Sequence, residues 1–211
     1  VRQIFIRFSG CNWACSYCDT WLEAGDTCRI EREPGSGKFE EVANPVSLAF
    51  TSEGVAAWKL AHPRAYHSIS LTGGEPLLHE MVLEEWLPKL RDFLPIYLET
   101  NGILVESLEK VFPYLDFVAM DIKLSSMTGK PTPWDEHQRF LEVAGKTRCC
   151  VKMVVSNEAC EDELIRAAAM VHSKASCSPL ILQPLSEESK TPIPTDKILR
   201  MQELVAGIHP D

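Results

Sequence analysis

Short apolar runs alternate with amphipathic segments along most of the chain. Six of these runs predict buried strands, at residues 4–8, 68–71, 96–99, 116–123, 150–155 and 180–184. The segments between and after them carry apolar residues at helical spacing and predict helices at residues 51–60, 81–93, 105–112, 134–143, 161–172 and 196–205. Strands that alternate with helices form a parallel sheet with right-handed crossovers. Six units are too few for a closed eight-stranded barrel, so we expect an α/β fold, an open and partial (β/α)6 TIM-like barrel.

One stretch between the first strand and the first helix departs from this alternation. Residues 28–33 and 38–42 flank the turn-forming sequence Pro34-Gly35-Ser36-Gly37, which is a hairpin signal. We therefore expect an inserted β-hairpin that serves as a lid, a dimer arm or a docking element for a partner. The rest of the pattern predicts a single domain over residues 1–211.

Composition and charge narrow the possible functions. The chain is 45% hydrophobic and 24% charged, as in ordinary globular proteins. Its formal net charge of −9 disfavours direct binding to nucleic acid, because phosphate contacts need clustered Lys and Arg. No apolar run is long enough for a membrane span, and no signal-peptide pattern opens the chain, so we expect a cytoplasmic protein.

Three of the eight cysteines, Cys11, Cys15 and Cys18, are spaced C-x3-C-x2-C. Grouped thiolates favour iron–sulfur clusters, zinc or Cu(I). A closed zinc site or a simple electron-transfer cluster takes four protein ligands, and no fourth Cys or His follows at short spacing. Three thiolates on a four-iron cluster leave one iron open to a small molecule. The other cysteines are interpreted as small buried or half-buried hydrophobes: Cys28, Cys149, Cys150, Cys160 and Cys177.

Polar residues follow each predicted strand, at the end where parallel β/α proteins place their functional groups. Besides the cysteines, these are Thr72-Gly73-Gly74-Glu75-Pro76, Glu99-Thr100-Asn101-Gly102, Asp121-Ile122-Lys123, Lys152 and Gln183-Pro184. The adjacent glycines allow close approach of backbone to a ligand, and the Glu75 carboxylate can pair with an ammonium group. Taken alone, each segment is also consistent with an ordinary turn between a strand and a helix.

The cysteine spacing, with Tyr17 before the third cysteine and Gly-Gly-Glu-Pro downstream, resembles the radical S-adenosylmethionine superfamily. This resemblance implies a [4Fe-4S] cluster on Cys11, Cys15 and Cys18, with S-adenosyl-L-methionine bound to the open iron. It implies that Tyr17 lies beside the adenine and that Glu99 and Asn101 meet the ribose. The implied cofactor-binding set is Tyr17, Cys18, Asp19, Gly73, Gly74, Glu75, Glu99, Asn101, Asp121, Lys123, Gln183 and Pro184.

The sequence Cys18-Asp19-Thr20, preceded by residues 7–12, looks like the 7-carboxy-7-deazaguanine synthase family of queuosine biosynthesis. The resemblance implies a radical S-adenosylmethionine carbon–nitrogen lyase that contracts the ring of 6-carboxy-5,6,7,8-tetrahydropterin with loss of ammonia. It implies that Thr20 binds Mg²⁺ through oxygen. It also implies that Arg7, Gly10 and Thr72 contact the pterin, whose carboxylate suits an Arg fork. We further expect a homodimer and an electron donor such as flavodoxin or ferredoxin.

The chain departs from this family's pattern at three places. The Gln-Gly-Glu opening and the Pro-Gln-x-His-like ending are absent, so we expect that short terminal segments of the family are missing. Asp121-Ile122-Lys123 replaces Ser-Pro-Lys and resembles the glycyl-radical activating enzymes instead. Two alternatives therefore stay open: an activating enzyme that acts on a partner protein, and a non-catalytic module that binds zinc or a passive iron–sulfur cluster.

Overall fold

A computed structural model describes residues 2–18, 20, 23–185 and 192–211 of the chain. The strands in these ranges are β1 (Arg2–Phe8), β2 (Thr27–Glu31), β3 (Phe39–Ala43), β4 (Tyr66–Gly73), β5 (Ile96–Thr100), β6 (Phe117–Asp121), β7 (Arg148–Val155) and β8 (Leu180–Pro184). The α-helices are α1 (Leu48–Ala61), α2 (Glu80–Arg91), α3 (Val105–Val111), α4 (Ser125–Thr128), α5 (Trp134–Ala144), α6 (Glu161–Lys174) and α7 (Thr195–Ala206). None of the helices in the described ranges is long and apolar enough to cross a membrane.

Within the described residues, six strands form one parallel sheet in the order β1-β4-β5-β6-β7-β8. Each crossover leads to the next strand in the same direction, so the helices cover one face and leave the other face open. Leu98, Val118 and Val151 point into the helix-covered core and are fully buried. The alternate residues, such as Glu99 and Asp121, are half-buried on the open face. The predicted partial (β/α)6 barrel is confirmed.

The predicted hairpin is also confirmed. Strands β2 and β3 pair antiparallel outside the main sheet, with Thr27 opposite Ala43. Trp58 of α1 donates a hydrogen bond from Nε1 to the carbonyl oxygen of Arg32 at 3.0 Å. The Arg32 guanidinium lies 5.2 Å from the centre of the Phe50 ring. The hairpin therefore rests against α1, the first helix after it.

The predicted start of the first helix was wrong. The helix begins at Leu48, because the Ser47 hydroxyl accepts a hydrogen bond from the Phe50 backbone N–H at 3.2 Å and caps the first turn. Thr51, the expected start, lies inside the helix. Ser47, Thr51 and Ser52 each offer a hydroxyl cap, and the local sequence does not choose among them.

A short helix was missed in the stretch expected to be a loop. Residues 125–128 form α4 because Glu163, on α6, accepts hydrogen bonds from the backbone N–H groups of Ser125 and Ser126 at 2.9 and 3.0 Å. A carboxylate at this position satisfies the free donors of a helix amino end. Glu163 is 37 residues from Ser126 along the chain, so no local sequence pattern predicts this helix.

The cysteines outside the first loop are only partly as predicted. Cys149 is buried, and Cys28 and Cys150 are half-buried, as expected. Cys160 and Cys177 are exposed, so the prediction that they pack as hydrophobes was wrong. Cys160 directly precedes α6, and Cys177 lies in the turn that follows it, where a small residue is compatible with solvent as well as with packing.

Candidate active site

The carboxyl ends of β1 and β4 are joined by backbone hydrogen bonds. The N–H of Gly74 donates to the Phe8 carbonyl and the N–H of Glu75 donates to the Gly10 carbonyl, each at 2.8 Å. A Cβ on Gly74 would lie 1.9 Å from the Gly10 oxygen, and one on Gly73 would lie 2.3 Å from the Phe8 oxygen. The sequence suggested that the glycines admit a ligand. In the structure, the space that a Cβ would need is filled by the end of β1 at Gly73 and by the cysteine loop (residues 9–18) at Gly74.

The three cysteines lie together on this loop, which follows β1. The N–H of Cys18 donates to the Cys15 carbonyl at 3.2 Å and closes a turn between the second and third thiols. Burial raises the pKa of the Cys15 thiol; the charge of Lys123 opposes this shift, and thiolates at Cys18 and Cys11 add to it. The three thiols are therefore within electrostatic reach of one another.

This donor set fits a [4Fe-4S] cluster, because three soft thiolates lie within electrostatic reach of one another on one loop. A cluster of this kind takes each thiolate on a different iron. The backbone N–H of Trp13 and the Nδ2 of Asn101 lie 3.4 and 3.8 Å from Cys11 Sγ. Donors of this kind tune the potential of iron–sulfur clusters.

The Glu75 carboxylate clamps the ends of two strands. It is fully buried and accepts hydrogen bonds from Leu77 N at 3.0 Å, Thr100 Oγ1 at 2.9 Å and Asn101 N at 2.7 Å. Burial raises the pKa of Glu75 to about 7, although these hydrogen bonds act in the opposite direction. Asn101 in turn donates from Nδ2 to Asn12 Oδ1 at 2.7 Å, so the clamp extends to the cysteine loop. The ammonium partner expected for Glu75 stays a prediction.

A row of polar side chains crosses the open face next to this clamp. Glu99 accepts hydrogen bonds from Ser70 Oγ at 3.1 Å and from Thr72 Oγ1 at 3.4 Å. Arg7 is paired in register with Thr72 and therefore lies on the same face. Arg7, Thr72 and Glu99 thus occupy three neighbouring strands beside the cysteine loop.

An ion-pair group continues the row on β6 and β7. Asp121 binds Lys123 Nζ at 2.7 Å through one carboxylate oxygen and Lys152 Nζ at 3.3 Å through the other. Burial by itself would lower the pKa of Lys123, but the negative charge of Asp121 and the hydrogen bond to it outweigh burial and raise that pKa. Lys123 Nζ lies 5.9 Å from the centre of the Tyr17 ring, on the cysteine loop. Lys123 therefore stays cationic next to the thiols.

The remaining predicted residues are less closely gathered. Gln183 and Pro184 end β8 and are exposed, and the four strands β4, β5, β6 and β7 separate them from β1. Thr20 is described, and its carbonyl oxygen lies 3.9 Å from Cys18 Sγ. Asp19 lies outside the described residues.

Three polar side chains in the site were not assigned from the sequence, namely Asn12, Ser70 and His137. Each forms a hydrogen bond with an assigned residue or with its loop. Asn12 and Ser70 lie within segments whose patterns already marked the site. His137 lies on α5, and a histidine on an amphipathic helix carries no signal of its own. Only the packing of α5 against the sheet brings it to the loops.

Solved structures share this fold at low sequence identity. Streptococcus suis SuiB bound to S-adenosylmethionine superposes with a TM-score of 0.64 at 16% identity, over 97% of this chain and 44% of that one. A structure of TYW1 with a lysine-pyruvate adduct bound gives a TM-score of 0.57 at 14% identity, over 97% of this chain and 72% of that one. The chain therefore spans less than half of SuiB, and these similarities support the fold.

Sequence comparison reaches the family level. Residues 5–154 match the model of the Radical SAM superfamily. A 7-carboxy-7-deazaguanine synthase from Geobacter sulfurreducens is 44% identical over 208 residues, which cover 97% of this chain and 82% of that protein. One from Thermococcus kodakarensis is 32% identical over 195 residues, which cover 87% of this chain and 74% of that protein. The chain belongs to the radical S-adenosylmethionine superfamily and, within it, to the 7-carboxy-7-deazaguanine synthase family.

Proposed function

We propose that the chain converts 6-carboxy-5,6,7,8-tetrahydropterin to 7-carboxy-7-deazaguanine with loss of ammonia, a step of queuosine biosynthesis. The observation that carries the proposal is the 44% identity to the Geobacter sulfurreducens synthase over 82% of that protein. The site supports it, because three grouped thiols lie beside an open sheet face that is lined with polar groups. The polar side chains of this face can bind an organic substrate next to the cluster-binding loop.

Cys11, Cys15 and Cys18 would hold the [4Fe-4S] cluster. When bound, the cluster and S-adenosylmethionine supply one-electron reduction and a carbon-centred radical that can remove a hydrogen atom from C6 of the pterin. The protein's own contribution is to bind, orient and shield these partners from water. The Asn101 amide, held by Asn12, would remain as a donor to a cluster sulfur.

Polar groups on the open face suit the amino-acid and ribose parts of S-adenosylmethionine. Lys123, kept cationic by Asp121, suits the carboxylate of the cofactor. Glu99 can accept from ribose hydroxyls, since it already accepts two hydroxyl donors in the structure. The other cofactor-binding residues that we propose are Tyr17, Cys18, Asp19, Gly73, Gly74, Glu75, Asn101, Gln183 and Pro184.

The pterin would lie at the β1–β4 edge of the open face. Arg7 is exposed there, and its guanidinium fork suits the pterin carboxylate. Thr72, oriented by Glu99, and the Gly10 backbone complete the proposed contacts. The Thr20 hydroxyl would give Mg²⁺ the hard oxygen ligand that it prefers.

The electron would come from a low-potential protein such as flavodoxin or ferredoxin, and the enzyme would act as a homodimer in the cytoplasm. All eight cysteines are free thiols, which fits a reducing compartment. Size-exclusion chromatography with light scattering tests the dimer, and NADPH-driven turnover with purified flavodoxin and its reductase tests the donor.

Anaerobic product analysis tests the reaction itself. The reconstituted protein is incubated with the pterin, S-adenosylmethionine, Mg²⁺ and dithionite, and mass spectrometry follows 7-carboxy-7-deazaguanine and 5′-deoxyadenosine. Both should form with the wild type and neither with Cys15→Ala. Arg7→Ala should lose most of the deazaguanine and keep uncoupled 5′-deoxyadenosine, whereas Arg2→Ala, at the opposite end of β1, should behave like the wild type. 5′-Deoxyadenosine without deazaguanine from the wild type would refute the pterin as substrate.

Removal of magnesium tests the Thr20 assignment. Chelation should slow formation of the deazaguanine, and added Mg²⁺ should restore the rate. Thr20→Val should raise the Mg²⁺ concentration needed for half-maximal rate by about tenfold, the loss of roughly 1.4 kcal/mol of ligand energy. Thr20→Ser keeps the hydroxyl and serves as the matched control. An unchanged Mg²⁺ requirement in Thr20→Val would contradict the assignment.

A further inference from the structure

His137 joins two loops at the carboxyl end of the sheet. It lies on α5 and is fully buried. Its Nε2 accepts a hydrogen bond from the backbone N–H of Lys123 at 3.0 Å, and its Nδ1 lies 3.0 Å from the carbonyl oxygen of Gly102. Gly102 follows Asn101 after β5, and Lys123 follows Asp121 after β6. The imidazole therefore spans the two segments that carry proposed ligands of the cofactor.

The hydrogen bonds determine the protonation state of this ring. A backbone N–H can only donate, so Nε2 must be unprotonated, and the proton resides on Nδ1, where it is donated to Gly102. Burial lowers the pKa of His137 to about 4, and the nearby positive charge of Lys123 acts in the same direction. The charge of Asp121 and the Gly102 hydrogen bond oppose the shift without cancelling it. The ring is thus a neutral Nδ1–H tautomer.

The sheet itself does not hold these two loops together. The pairing between β5 and β6 ends at Thr100 and Met120. Gly102 and Lys123 lie beyond that point, where the ladder no longer fixes the distance between the chains. A buried N–H or carbonyl that has left the ladder needs another partner, and one imidazole satisfies one group on each loop.

We propose that His137 is a positioning residue for S-adenosylmethionine, which sets the spacing between the loop of Asn101 and the loop of Lys123 so that both engage the cofactor at once. The inference rests on the proposed use of S-adenosylmethionine by this site. Asn101 is also tied to Glu75, and Lys123 to Asp121, but each of those bonds orients one loop only. His137 is hydrogen-bonded to both loops.

Three substitutions of His137 test its hydrogen bonds to Gly102 and to Lys123 separately. His137→Leu removes both hydrogen bonds. His137→Asn places an amide nitrogen near the Nδ1 position and keeps the donor to Gly102, whereas His137→Gln reaches the Nε2 position and keeps an acceptor for the Lys123 N–H. Leu141→Ala, a fully buried position on the same helix, controls for loss of stability without loss of the bridge.

The first measurement is the dissociation constant of S-adenosylmethionine for the anaerobically reconstituted proteins, by equilibrium dialysis. We expect about tenfold weaker binding for His137→Leu, the equivalent of one lost buried hydrogen bond, and less than threefold weakening for Leu141→Ala. Equal affinities for His137→Leu and Leu141→Ala would overturn the inference. A wild type that fails to bind S-adenosylmethionine would instead overturn the proposed function, and the inference with it.

The second measurement needs no cofactor and remains informative if His137→Leu does not fold. Hydrogen exchange of the Lys123 amide is compared by NMR with that of Val151, whose N–H is bound to Pro179 in the core. The ratio of the two rates should rise about tenfold or more in His137→Asn and stay near the wild-type value in His137→Gln. A Lys123 amide equally protected in His137→Asn and the wild type would refute the bridge.

Discussion

Replacement of Gly74 by alanine should displace the cysteine loop. The added Cβ would lie 1.9 Å from the Gly10 oxygen and 2.7 Å from the Gly10 carbonyl carbon, and Cβ atoms essentially never come closer than 3.0 Å. The two backbones must therefore separate by about 1.1 Å, the difference between these distances. Both obstructing atoms belong to the main chain, so no side-chain rotation relieves the contact.

The size of the effect follows from the bonds that this separation breaks. The Glu75–Gly10 and Gly74–Phe8 hydrogen bonds, now 2.8 Å, would stretch beyond hydrogen-bonding range. We expect the unfolding free energy to fall by about 3 kcal/mol, because two backbone hydrogen bonds with poorly solvated partners are lost and some strain remains. Because Gly10 directly precedes Cys11, the same movement shifts the first cluster ligand.

Gly54→Ala provides the matched control. Gly54 lies inside α1, and a Cβ there would meet nothing within 4 Å. Its replacement should raise stability by about 0.5–1 kcal/mol through helix propensity. Urea unfolding of the two variants and of the wild type gives the free energies, and iron content after anaerobic reconstitution reports the ligand geometry. A Gly74→Ala protein that keeps wild-type stability within about 0.5 kcal/mol and binds its full iron would refute the reasoning.

Three further predictions concern titratable side chains. Burial lowers the pKa of His137 from 6.5 to about 4, so the neutral ring stabilises the fold fully above pH 6.5, and about 3 kcal/mol of unfolding free energy is lost as the pH falls to 4. In urea unfolding over that pH range, the unfolding free energy of His137→Gln should fall less steeply than that of the wild type. Burial raises the pKa of Glu75 from 4.5 to about 7, so the protonated carboxyl stabilises the fold fully below pH 4.5, and this stabilisation is lost as the pH rises through 7. The corresponding decline in unfolding free energy should vanish in Glu75→Gln, and a decline that persists in this variant would contradict the raised pKa of Glu75. Asp116→Ala should cost about 1–2 kcal/mol in urea unfolding, since its carboxylate accepts from the Ile96 N–H at 2.9 Å and from Arg91 at 2.8 and 3.2 Å; a change below about 0.5 kcal/mol would count against these bonds.

Much of the fold followed from local pattern. A strand that is buried on its helix-covered face is written as a run of apolar residues, and the apolar positions of an amphipathic helix repeat every 3.6 residues. Both patterns can therefore be recognised within a dozen positions. The hairpin of β2 and β3 was predicted because its turn residues lie between two alternating segments. The boundaries were less certain: Ser47, rather than Thr51, caps α1, because neighbouring hydroxyl residues compete locally for the same role.

The chemical groups of the site could be assigned from the order of residues along the chain. Cysteine spacing is a local property, and chain direction in a parallel sheet brings every strand's carboxyl end to one edge, so the ligands and polar residues could be assigned to that edge. How those groups contact one another depends on the folded arrangement of the chain. This arrangement packed Gly73 against β1 and Gly74 against the cysteine loop, surrounded Glu75 with three donors and brought His137 between two loops. Hydrogen bonds and steric contacts act across a few ångströms of space, whatever the separation of the partners along the chain, so a local sequence pattern does not reveal them.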